Sequence, residues 1–129
     1  IYFLHNNHFS IDGVTICGTR GWSMPGEDGF SAEDAKIYKR ELQRLELSLK
    51  GANAPEGGVI IAALHFPPFN SKGTFSEFMD ILQKYHVSIC IYGHLHGEAG
   101  RNAIDGLVNG IRFRFVAADH LAFNPVRLL

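Results

Sequence analysis

Two near-continuous apolar runs stand out along the chain, GVIIAAL at 58–64 and VSICIYG at 87–93. Both are short and rich in β-branched residues, which predicts strands buried on both faces. Before the first run the period changes. Ala35, Tyr38, Leu42, Leu45 and Leu49 recur at steps of three and four, which predicts a helix with one apolar stripe, while Lys36, Lys39, Arg40 and Arg44 turn mostly to water. Ser31 is placed to cap it, Glu33 and Asp34 lie in the first turn where the macrodipole favours negative charge, and Gly51 ends it. A second amphipathic helix is predicted over 74–84, with Phe75, Phe78, Met79 and Leu82 on its inner side.

The ends of the chain read as antiparallel pairs. IYFL (1–4) and HFSI (8–11) flank the polar HNN, and Asp12-Gly13 turns the chain into VTICG (14–18), which predicts a meander of two hairpins. TRGWSMPGEDGF (19–30) carries Gly21, Pro25, Gly26 and Gly29 and is a loop. IDGLVNGIRFRFVAA (104–118) predicts a closing pair about Asn109-Gly110, with Arg112 and Arg114 alternating against Ile111, Phe113 and Phe115. The order is meander, helix, strand, helix, strand, hairpin, which makes an α/β layered domain. A helix between two apolar strands suggests a crossover unit, so the loops HFPPFN and GHLHG that follow them should be neighbours at one end of the sheet.

Composition narrows the function. With 46% hydrophobic and 19% charged residues, the 129-residue chain is an ordinary globular domain with one core. Twelve basic against thirteen acidic residues leave a formal charge of -1, so no bulk field steers it to nucleic acid or an anionic membrane, and any anion it binds must be met locally. No apolar stretch approaches the roughly 20 residues that span a bilayer, and the first residues lack signal-peptide features, so a cytoplasmic location is the default expectation. Cys17 and Cys90 lack the paired spacing of a zinc or disulfide framework and are expected as buried thiols. Ile1 falls inside a strand-like run, which suggests a piece of something longer.

Candidate chemistry gathers at the strand ends. In extended backbone His94 and His96 project to the same side, with Gly93 and Gly97 permitting a bend, and His65 arrives from the neighbouring loop, which Pro67 and Pro68 stiffen. Three imidazoles converging there would suit Zn, Mn, Fe or Ni. Against this stands the plain alternative that the histidines only pack and cap loops. Arg20, just after a strand, is a candidate donor to a substrate phosphate, or else a paired arginine. Trp22 is a stacking platform or a packing residue, and Asp119-His120 could orient a metal-binding imidazole.

ALHFPPF and YGHLHG together resemble the last two motifs of calcineurin-like metallophosphoesterases, a strand-end His often followed by Pro and a strand-end Gly-His-x-His, and CGTRGW (17–22) resembles a predicted phosphohydrolase subgroup. The resemblance covers most of the chain. It implies the C-terminal half, residues 1–129, of a metallo-dependent phosphatase-like αββα sandwich. It also implies a dinuclear centre of Mn, Fe, Zn or Ni in the full-length parent, with His65 and His94 on one metal and His96 on the other. Such a pair activates water for in-line attack on a phosphoester or phosphorylated small molecule.

The same family uses an early Asp-x-His, a Gly-Asp pair whose carboxylate bridges the metals, and an Asn-His-Asp stretch; none occurs here, and NNHF (6–9) only mimics part of the last. Neutral imidazoles cannot offset two divalent ions, so this chain alone is expected to hold at most one metal and to lack competent phosphatase chemistry. With half of a sandwich missing, self-association through an exposed sheet edge is expected. The alternative function is a non-catalytic metal-binding or scaffold module with a single His-rich site.

Overall fold

The computed structural model describes residues 1–52, 54 and 56–129. Nine elements follow in chain order: β1 (His8–Ile11), β2 (Val14–Thr19), α1 (Ala32–Lys50), β3 (Val59–Leu64), α2 (Glu77–Lys84), β4 (Ile89–Tyr92), a 3₁₀ segment (Gly97–Asn102), β5 (Gly106–Val108) and β6 (Ile111–Phe115). They form a mixed α/β protein around one six-stranded sheet, ordered β1-β2-β3-β4-β6-β5. The four central strands are parallel to one another, and β1 and β5 add antiparallel edges. Both edges are made by tight turns whose first residues, Asp12 (φ 48) and Asn109 (φ 50), adopt the left-handed conformation of a type I′ hairpin.

The crossovers β2-α1-β3 and β3-α2-β4 step the same way across the sheet, and right-handed connections of that kind lay successive helices on one face. Register shows which side chains that face receives. Cys17, Ala62, Cys90 and Phe113 form one row across β2, β3, β4 and β6, and Thr19, Leu64, Tyr92 and Phe115 form the next. These residues are buried and pack with Tyr38, Leu45 and Leu49 of α1 and Phe78, Met79 and Leu82 of α2. Each such large side chain removed from water contributes about 2 kcal/mol.

The opposite face departs from expectation. Its rows run Ile16, Ile61, Ile89 and Gly18, Ala63, Ile91, none of which joins the helix-covered core. Val14, Ile16, Val59, Ala63 and Ile91 are only half-buried there, while Ile61 and Ile89 on the same face are buried. The apolar runs are therefore strands covered by helices on one side, among the described residues, and not on both.

Three further differences have local causes. Residues 1–4 form no strand, and Ile1, Tyr2 and Phe3 are exposed; β propensity without a partner ladder does not make a strand. The second helix starts at Glu77 under a Ser76 cap, because the Asn70 side chain captures the amides of Lys72 and Thr74 at 3.0 and 2.8 Å and Phe75 bridges to Phe69. The buried stripe of α1 is Tyr38, Glu41, Leu45, Ser48 and Leu49, so two polar residues sit where only apolar ones were expected. Cys17 and Cys90 are buried free thiols, as expected. No helix among the described residues is long and apolar enough to cross a membrane.

Candidate metal centre

The C-terminal ends of β2, β3 and β4 are tied together beyond the ladder itself. The Arg20 carbonyl accepts the amides of His65 and Phe66 at 3.0 and 2.9 Å, and the His65 carbonyl accepts the Gly93 amide at 3.2 Å. The two histidine loops are neighbours, as the crossover reading requires. His65 Nε2 and His94 Nδ1 lie 3.3 Å apart, with ring centroids 5.1 Å apart and near-perpendicular planes.

His94 reaches this position through a bend in the chain. It has φ 68, and Leu95 donates its amide to the Gly93 carbonyl at 2.8 Å. That is a three-residue turn of the strained γ class, uncommon for a residue with a side chain. The bend cancels the alternation expected of extended backbone, so His96 does not follow His94. Its Nδ1 instead pairs with Asp119 Oδ1 at 3.0 Å, and Asp119 Oδ2 accepts the Gly97 amide at 3.2 Å. The pairing holds the Asp119 carboxyl below its ordinary range, chiefly through the His96 bond and then through the Gly97 amide. Metal-ligating histidines commonly carry such a carboxylate on their second nitrogen.

Burial lowers the His94 pKa, and the nearby charges of His65 and His96 push the same way. The ring is therefore biased toward the neutral form, which has a lone pair to donate. Two imidazole nitrogens bound tetrahedrally at 2.0–2.1 Å to one ion sit about 3.3 Å apart, and the same separation is that of the direct hydrogen bond the two rings make here, so the pair is compatible with one shared cation and with a simple ring-to-ring bond. No group of three His, Cys, Asp or Glu side chains converges on one point among the described residues.

Arg20 adopts the paired arrangement. Its guanidinium stacks over Trp22 at 4.3 Å and lies 3.8 Å from Glu41 Oε1, with 46% of the side chain exposed. Glu41 is fully buried; Thr19 Oγ1 donates to its Oε2 and Arg44 Nη1 to its Oε1, both at 2.6 Å, while Arg40 stands 3.5 Å away. A buried carboxylate needs such partners, since unpaired it would be strongly destabilising. Glu41 had a sequence signal. It lies three residues after Tyr38 and four before Leu45, on the apolar stripe.

Trp22, Phe66 and His94 adjoin in a row, with centroid separations of 5.0 and 4.0 Å. All three line a cavity of about 520 Å³ that opens beside the histidine pair. Neither a protein-family model nor a curated protein nor a solved structure matches the chain.

Proposed function

We propose that this chain contributes the metal-binding, C-terminal half of a metal-dependent phosphoester hydrolase of the calcineurin-like type. One observation carries the reading: the imidazoles of His65 and His94, from the ends of adjacent parallel strands, meet with nitrogens 3.3 Å apart, a hydrogen-bonding distance that two nitrogens sharing one ion would also show. The Asp119 contact to His96 supports it, because it fixes that ring in the manner of a metal ligand. The sheet face whose side chains stay outside the helix-covered core, with Ile16, Ala63 and Ile91 half-buried on it, is consistent with a second sheet packed against it, as an αββα sandwich requires. A bound divalent ion would supply Lewis-acid activation of the phosphoryl group and of water. His65 and His94 would hold that ion, His96 would serve a neighbouring one, and the parent protein would add the bridging carboxylate.

A second reading, a non-catalytic module with one ion, is favoured by the lack of any carboxylate beside the pair among the described residues. Zinc titration followed by NMR of the imidazoles tests the shared premise. Uptake of one ion, with His65 and His94 shifting together and uptake lost in His65→Ala and His94→Ala, is expected. No uptake leaves packing as the role of these histidines. Assay of p-nitrophenyl phosphate with added Mn separates the rest: the chain alone should show no turnover at ordinary enzyme rates, and turnover would contradict the need for the missing carboxylates.

A further inference from the structure

The cavity beside His94 has a composition that restricts what can enter it. One wall is the aromatic row Trp22, Phe66 and His94, and Glu27, Asp28 and Asp34 also line it. No lysine or arginine lines it among the described residues. A phosphate or other anion would meet carboxylates and no counter-charge, so the cavity is unsuited to an anionic group. Its volume of about 520 Å³ is that of a small-molecule site. Arg20 covers one face of Trp22 and Phe66 lies against His94, so a flat ring entering here would pack against the remaining ring surface and edges of the wall.

The carboxylates are not equally available. Asp34 is engaged by Trp22 Nε1 and by Ser31, and Glu27 Oε1 accepts the Ser71 amide at 2.9 Å. Asp28 is exposed and has no hydrogen-bond partner among the described residues. A ring bearing an amino group would give it one.

We infer that this cavity takes the heteroaromatic base of a nucleotide, packed against the Trp22–Phe66 wall with its amino group toward Asp28, while the phosphate lies at the His65–His94 end. The inference rests on the hydrolase reading for its phosphate end only. The base end stands on the cavity itself and is tested without metal or phosphate.

Trp22 is the only tryptophan in the chain, so its emission reports on this wall directly. The probe is adenosine, added to the metal-free 129-residue chain and excited beyond the absorption of adenine. Saturable quenching is expected, with ribose 5-phosphate silent. Ala99→Phe puts bulk into the cavity from an exposed position and should weaken adenosine at least about tenfold. Asp28→Asn, also at the surface, removes a charge-assisted acceptor and should weaken it about tenfold. Circular dichroism matching the parent establishes that both variants fold.

No saturable response up to the solubility limit, a response unchanged in both folded variants, or an equal response to ribose 5-phosphate would each overturn the assignment. The two ends fail separately. Adenosine binding without zinc uptake removes the hydrolase reading and keeps the base site. Zinc uptake without adenosine binding does the reverse.

Discussion

Trp22 Nε1 donates to Asp34 Oδ1 at 3.0 Å, while Asp34 Oδ2 accepts the Ser31 amide and hydroxyl that close the cap of α1. One carboxylate thus joins the loop after β2 to the start of the helix. Those donors, Ser31 first and then Trp22, lower the Asp34 pKa from its ordinary 3.8. A depressed folded-state value favours the folded form above the ordinary carboxylate range, and the contribution is lost as pH falls through the lowered value. The Asp34-dependent part of Trp22 emission should therefore change only below about pH 4, where the carboxylate protonates. Asp34→Asn should lack that transition; an identical acid shift in the variant would assign the change to another group. At this scale sequence was a partial guide. The Ser31 cap follows from residue type, and Glu41 could have been read from its place on the apolar stripe. The γ-turn at His94 could not, because glycines on either side permit a bend without specifying which residue absorbs the positive φ.

Between elements, β2 lies close against β3 at Gly18. A Cβ on Gly18 would stand 2.1 Å from the Ala63 carbonyl oxygen, a backbone atom that cannot swing aside. The Gly18 amide donates to Ser48 Oγ at 2.9 Å, so α1 also presses on this point. Gly18→Ala should cost about 3 kcal/mol, the upper range for overpacking against a fixed obstacle. Gly13→Ala gives the comparison. Nothing lies within 4 Å of a Cβ there, and only its φ of 80 opposes a side chain, at about 1 kcal/mol. Denaturant unfolding of the two variants should rank them in that order, and equal losses would mean that the strands separate easily at Gly18. The existence of these strands was legible because GVIIAAL and VSICIYG are long, apolar and bounded by turns. Which glycine is pinned by its neighbour was not, since that depends on register. Boundaries failed where side chains competed with the backbone, as when Asn70 captured the amide of Thr74.

For the molecule as a whole, helices on one face leave the other apolar. An uninterrupted apolar run indicates burial on both sides of a strand but does not say what covers each, so the sequence predicted two buried faces where this chain covers one with helices. The edge strand β1 adds to the exposure. Ile11 is 64% exposed and pairs with Val14, which places it at the border of the uncovered face and of an open row of backbone donors and acceptors. An apolar edge of this kind is a template for pairing with another copy unless it carries charge, and β1 contains neither lysine nor proline. The chain should therefore associate as its concentration rises, with sedimentation showing species above the monomer. Ile11→Lys, at an exposed position where the fold loses little, should return it to monomer. A parent chain that sediments as a sharp monomer at high concentration would show that the half-buried side chains of Ile16, Ala63 and Ile91 are too recessed to drive contact between copies. Association that persists in Ile11→Lys would move the contact from the edge onto the face itself.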